Sequence, residues 1–185
     1  MGYAIAEELA EQGAEVILVS GPVSVSTQKD KIKVISVESA EEMYQVCISH
    51  FPECDGAVMT AAVADFTPAS RAAQKTRRGK ENWKLELKPT KDIATALGQL
   101  KKENQVLIGF ALETTDEKAN AQKKLKKKNL DFIVLNSLND AGAGFGFDTN
   151  KITIIGKNNK IQPFELKSKR EVAADIVSRV ISILS

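Results

Sequence analysis

The apolar positions change period along the chain, and each change marks an element. Ile5, Ala6, Leu9 and Ala10 recur at helical spacing with Glu7, Glu8 and Glu11 opposite, so 2–12 is expected to be a helix closed by Gly13. Glu15-Val-Ile-Leu-Val19 reads as a strand, ended by Ser20-Gly21-Pro22. Residues 31–37 alternate as a strand, and Glu38-Ser39-Ala40 leads into a helix through Ile48 with Met43, Val46 and Cys47 on its apolar face. Residues 56–59 make a short buried strand that passes into small residues, 60–64, and stops at Asp65. Periodicity is lost over 66–83, which reads as a loop, and 83–87 alternates as a short strand. A helical pattern runs from Lys91 to Leu100. Residues 106–111 are a buried strand, about 117–128 a very basic helix, and 131–135 a strand closed by Asn136. A glycine-rich loop spans 142–150. Residues 151–155 and 161–166 then form a hairpin about Lys157-Asn158-Asn159. Ser168 opens the last helix through a Ser168–Glu171 capping box, with Val172, Ile176, Val180 and Ile181 in its stripe.

Strands alternating with helices give the α/β class: a Rossmann-like, largely parallel sheet flanked by helices, with an antiparallel hairpin near the C-terminus. A doubly wound domain begins with a strand and a phosphate-binding turn, whereas this chain opens on a helix. The first strand and phosphate turn are therefore expected to be missing from these residues.

Length and composition narrow the classes. The 185 residues suit a single domain with a real core. A net charge of +2 is too small to imply a nucleic-acid partner. No apolar run approaches the roughly 20 residues of a membrane span. The first residues lack the basic and apolar regions of a signal peptide, and Ala6 breaks the myristoylation pattern. Cys47, Cys54 and the single His50 are too few for a disulfide framework, a metal site or a catalytic triad. A reducing cytoplasm is the compartment these features fit.

Candidate chemistry gathers where open α/β sheets bind ligands, beyond the carboxyl ends of their strands. Small side chains after Met59 let a flat ligand approach the backbone, with Asp65 as first polar group; a plain strand exit with a capping Asp has the same pattern. Lys124 and Lys128, four apart, share a helix face beside the row of Lys123 and Lys127. Two such ammonium groups suit a polyphosphate, and a solvated helix face would look alike. The helix start at Lys91-Asp92-Ile93-Ala94 offers free N–H groups and the positive end of the dipole, as any helix start does. Lys75, with Arg77 and Arg78, lies on a polar stretch that could close over a charged intermediate or simply be solvated. Phe110 ends a strand where a base could rest against it, or belongs to the core.

Five blocks, residues 1–8, Val19-Ser-Gly-Pro22, Ala61-Ala-Val-Ala-Asp65, Gly109-Phe-Ala-Leu-Glu-Thr114 and Lys124-Leu-Lys-Lys-Lys-Asn-Leu-Asp131, together resemble the phosphopantothenoylcysteine synthetase family of coenzyme A biosynthesis, in its bacterial CTP-dependent form. The resemblance covers nearly the whole chain. It implies a single nucleotide-binding α/β ligase domain over 1–185, truncated at its N-terminus relative to the family. The implied substrates are 4′-phosphopantothenate, L-cysteine and CTP, with Mg²⁺ required and its ligands unknown. It places Met59, Thr60, Ala61, Asp65, Lys91, Asp92, Ile93, Ala94 and Phe110 at the nucleotide, Lys124 and Lys128 at its phosphates, and Lys75 in a flap over an acyl-cytidylate. It further implies a homodimer, and a flavin-dependent decarboxylase as upstream partner. The family's Asn-x-Ser-Ser-Gly-Lys block lies before the Met-Gly that opens this chain, so these residues alone are expected to bind nucleotide poorly and catalyse little. Arg77 and Arg78 stand where many members carry lysines, which keeps the charge and changes its geometry.

Two rivals remain. A nicotinamide-dependent reductase shares the small-residue strand end, but would carry a Tyr-x-x-x-Lys pair; Tyr3 is followed by Glu7 and Tyr44 by Ile48. A nucleic-acid module would interleave aromatics with its cations, and the lysine helix has none.

Overall fold

The apolar stripes fold as helix α1 (Gly2–Glu11), strands β1 (Val16–Ser20) and β2 (Ile32–Ser36), helix α2 (Ala40–His50) with a short 3-10 turn (Phe51–Glu53), then β3 (Gly56–Met59), β4 (Phe66–Pro68) and β5 (Leu87–Pro89). They continue as α3 (Ile93–Leu100), β6 (Val106–Glu113), α4 (Glu117–Lys127), β7 (Phe132–Ser137), β8 (Thr149–Asn150), β9 (Ile152–Gly156), β10 (Ile161–Pro163), β11 (Lys167–Ser168) and α5 (Lys169–Leu184). The structure is a computed structural model describing residues 1–70, 74–75, 84–113, 117–137, 148–157 and 160–185. Arg77, Arg78, Trp83, Thr114, Asn158, Asn159 and most of the glycine-rich stretch lie outside the described residues.

The central sheet has the order β3-β6-β7-β9-β10. β3, β6 and β7 run parallel, and β9 and β10 add on antiparallel, as the alternating pattern and terminal hairpin predict. Side chains of β6 and β7 alternate between two cores. Leu107, Ala111, Ile133 and Leu135 meet Met43 of α2, Ile93 and Leu97 of α3, and Ala121 and Leu125 of α4. Val106, Ile108, Phe132 and Val134 meet Ile5 of α1 and Val172, Ile176 and Val177 of α5. Burial on both faces explains why these strands read as continuous apolar runs.

β1 and β2 form a separate parallel pair. β1 and β3 each keep one unpaired edge among the described residues. Helix ends follow the sequence signals. Gly13 (φ 101) closes α1, with Gly13 N–H donating to the Ala10 carbonyl and Ala14 N–H to that of Leu9. Ser168 and Glu171 form the expected capping box of α5.

One stretch departs from expectation. Residues 66–68, expected in a loop, are β4, and the strand expected at 83–87 lies instead at Leu87–Pro89 as β5. The two pair antiparallel, Phe66 opposite Pro89 and Pro68 opposite Leu87. The ladder continues outward through Thr90 N–H to the Asp65 carbonyl (2.9 Å) and Ala69 N–H to that of Glu86 (2.9 Å). Both strands are edges of a two-stranded ribbon, so Pro68 and Pro89 leave no central ladder bond unmade.

Candidate active site

β3 and β6 run parallel, and α1 begins at the carboxyl end of β3, where a Cβ on Gly2 would lie 2.7 Å from Thr60 Oγ1 and the Tyr3 hydroxyl donates to Ser20 at the end of β1. Met59 is half-buried against the core under α2 and α3. Thr60 is half-buried, while Ala61 and Asp65 are exposed. The exit from β3 is fastened to the approach of α3: the Thr90 hydroxyl donates to the Ala64 carbonyl (2.7 Å) and the Thr90 N–H to that of Asp65. Asp65, just before β4, is thereby held beside Thr90, the residue that precedes Lys91.

Asp92 is the N-cap of α3, its carboxylate accepting the Thr95 N–H at 3.0 Å. It also accepts Lys128 Nζ at 3.1 Å. Burial alone would raise the Asp92 pKa; the hydrogen bonds from Thr95 and the Lys128 ammonium outweigh it and hold the carboxyl below its ordinary value. Ile93 is buried, so its backbone is what it can offer a ligand; Ala94 is half-buried. Lys91 is exposed, with Nζ 2.6 Å from Glu41 and 4.6 Å above the Tyr44 ring, both on α2. Gln45 donates to the same Glu41 oxygen at 2.8 Å.

Lys128 reaches α3 because the helices pack closely. A Cβ on Gly98 would drive into the Lys128 carbonyl oxygen. Asn129 (φ 52) ends α4 in a left-handed cap and donates its amide to the Gly98 carbonyl at 2.9 Å. α4 buries Ala121 and Leu125 and leaves Lys123, Lys124 and Lys127 exposed, as its pattern predicts.

The structure thus joins Asp65, Lys91, Asp92 and Lys128 through direct or one-residue links. Phe110 stands apart: it is half-buried against the core on the α1 and α5 face, across the sheet from α3 and α4. Lys75 is exposed on the connection between β4 and β5. Sequence reasoning missed Glu41, Tyr44 and Thr90. Thr90 had a signal, its place directly before Lys91. Glu41 lies 50 positions from Lys91 and had none. Among the described residues no three His, Cys, Asp or Glu side chains gather as a metal site.

Fold and edge together define a Rossmann-like α/β domain with its polar groups at the carboxyl ends of parallel strands. The chain belongs to the DNA/pantothenate metabolism flavoprotein C-terminal domain family, which it matches over residues 1–184. It is 54% identical over 184 residues to a cysteine/cysteine sulfinic acid decarboxylase of an unknown prokaryotic organism, covering 100% of this chain and 51% of that protein. It is 44% identical over 183 residues to the coenzyme A biosynthesis bifunctional protein CoaBC of Bacillus subtilis (strain 168), covering 99% and 45%. The chain therefore spans about half the length of the curated relatives it matches. A crystal structure of the C-terminal domain of CoaBC superposes with a TM-score of 0.82 at 37% identity, covering 99% of this chain and 81% of that one. A Cab2 mutant in complex with phosphopantothenate-cysteine shares the fold, with a TM-score of 0.73 at 16% identity, over 97% of this chain and 75% of that one. These matches bear out the resemblance to the phosphopantothenoylcysteine synthetase family.

Proposed function

We propose that the chain is a ligase domain joining 4′-phosphopantothenate to L-cysteine, with CTP as the activating nucleotide. The observation that supports it best is the meeting of the β3 exit, the capped start of α3 and Lys128 of α4 at one sheet edge. The phosphopantothenate carboxylate attacks the α-phosphorus of CTP and pyrophosphate leaves. The cysteine amine then attacks the acyl carbon of the acyl-cytidylate, losing a proton to solvent as CMP leaves. Met59, Thr60, Ala61 and Asp65 border the base, with Phe110 bordering it from the far face. Lys124 and Lys128 neutralise the phosphates, Lys128 exchanging Asp92 for the ligand. Backbone groups at Ile93 and Ala94 and the α3 dipole add positive potential, and Lys91 adds a charge beside them. Lys75 covers the mixed anhydride and helps to exclude water.

Mg²⁺ belongs to the same proposal as an ion carried by the nucleotide phosphates. The described residues form no carboxylate cage for it, and magnesium commonly keeps several waters and few protein ligands. A flavin-dependent decarboxylase acting on the product is the proposed partner, in the cytoplasm; among the described residues no helix is long and apolar enough to cross a membrane.

The test is a titration of CTP, ATP and NADPH against the full-length protein, with pyrophosphate release measured in parallel. CTP should bind most tightly and yield pyrophosphate only with phosphopantothenate present. Equal turnover of ATP would contradict the nucleotide preference, and tight NADPH binding without pyrophosphate would favour a reductase.

A further inference from the structure

Two cations flank the start of α3, and each already has a carboxylate. Lys128 of α4 reaches Asp92 at 3.1 Å, and Lys91 reaches Glu41 of α2 at 2.6 Å. The second pair is built from α2 upward. Ser39 caps that helix by accepting the Glu42 N–H, and Met43 anchors it in the core. Glu41 therefore stands in the first turn, where the positive end of the dipole favours a carboxylate. Gln45, one turn on, donates to the same Glu41 oxygen at 2.8 Å. Tyr44 is half-buried against the core, and its ring centroid lies 4.6 Å from the Lys91 ammonium. Hydrogen bonds from Lys91 and Gln45 hold the Glu41 carboxyl below its ordinary pKa, so it is ionised at neutral pH.

The cradle is fixed and the lysine is not. Glu41, Tyr44 and Gln45 lie on one anchored helix, whereas Lys91 carries its charge on a flexible four-carbon stem beside the Asp92 cap. The pair is also open to water, with side chains 51% and 56% exposed, and exposed pairs hold weakly. An anion at the first turn of α3 can therefore draw Lys91 from Glu41, in competition with that carboxylate. We propose that Glu41 is a positioning residue for the nucleotide: with Tyr44 it holds Lys91 on α2 until a polyphosphate reaches the α3 start, and so sets how tightly that anion binds. The inference rests on the ligase reading and adds to it a residue that touches no substrate.

Isothermal titration of CTP against the full-length protein tests it in a cycle of Glu41→Gln, Lys91→Ala and the two together. Glu41→Gln keeps the side-chain size and removes the competing charge. Both positions are exposed, so melting temperatures should stay near the parental value. At about 0.05 M salt, Glu41→Gln should tighten CTP binding roughly two- to fivefold. In the Lys91→Ala background the same change should move affinity by less than about 1.5-fold. The gain should also fade toward about 1 M salt, where the Debye length is only about 3 Å. A merely structural Glu41 would give neither the coupling to Lys91 nor the salt dependence. An equal gain in both backgrounds would mean that Glu41 acts as a distant charge and not through Lys91, and would overturn the proposal. So would parental or weaker binding in Glu41→Gln with Lys91 present. Pyrophosphate release by the parental protein with phosphopantothenate would keep the ligase reading standing through either result; a parental protein that binds no CTP would overturn both.

Discussion

Asp131 shows how much one carboxylate can organise. It sits at the amino end of β7, away from the candidate site, and accepts Lys101 Nζ at 2.9 Å, Lys157 Nζ at 2.6 Å and the Leu107 N–H at 2.7 Å. Its side chain is 12% exposed and that of Lys101 7%. Burial alone would raise the Asp131 pKa, but the hydrogen bonds from Lys157, Leu107 and Lys101 outweigh it, so the carboxyl titrates below its ordinary value. A depressed folded pKa means stability present above the unfolded value, about pH 4, and lost as pH falls through the folded one. Asp131→Asn strands a buried ammonium and should cost about 3 kcal/mol at neutral pH. Urea midpoints against pH should show that gap closing below about pH 4. A gap independent of pH would mean that packing, and not charge, holds the site. Lys124 and Lys128 belong to a different regime. The Lys128–Asp92 pair is partly exposed, 25% and 45%, so the double alanine variant should lose no more than about 1 kcal/mol of stability. Its CTP affinity should fall roughly tenfold for two lost phosphate contacts; an unchanged affinity would return α4 to a plain solvated helix. The gathering of Lys91, Asp92 and Lys128 was foreshadowed because a helix start and a basic helical run are local signals. Glu41 and Tyr44 were not, because only the packing of α2 beside α3 brings them to Lys91. The face taken by Phe110 was hidden too: in a strand buried on both sides, apolar residues of either parity look alike.

At the scale of elements, the contact of α3 with α4 governs where Lys128 can reach. Alanine is the better helix former at an interior position by about 1 kcal/mol. At Gly98 the new Cβ meets the Lys128 backbone carbonyl, which cannot rotate aside, so the clash decides the sign. Gly98→Ala should destabilise by about 1–3 kcal/mol and lower CTP affinity by shifting Lys128 from Asp92. Thermal melting and titration of the same variant check both halves; a more stable variant with parental affinity would contradict the account. Helices, caps and central strands were readable because 3.6-residue stripes, Ser168–Glu171 and Gly13 carry their meaning locally. The β4–β5 ribbon was not. Its strands are short, each carries a proline, and its pairing joins positions some twenty residues apart, whose register no local pattern encodes.

At the scale of the molecule, the hairpin leaves β10 as a sheet edge with Ile161 40% exposed, and exposed edges invite pairing. We expect two copies to associate, and light scattering at micromolar concentration should give twice the chain mass; a monomer mass would count against it. The overall topology was legible from strand–helix alternation, whereas the division between β1 and β3 is a fact of three-dimensional pairing. The central claim is that one sheet edge joins an acid to an amine through a nucleotide. Its most direct test is a quenched reaction of the full-length protein with CTP, Mg²⁺, phosphopantothenate and cysteine, with every product resolved by mass spectrometry. The account predicts phosphopantothenoylcysteine, CMP and pyrophosphate in equal amounts, and acyl-cytidylate with pyrophosphate when cysteine is omitted. Release of CDP and inorganic phosphate, or CTP consumed with no amide formed, would contradict it.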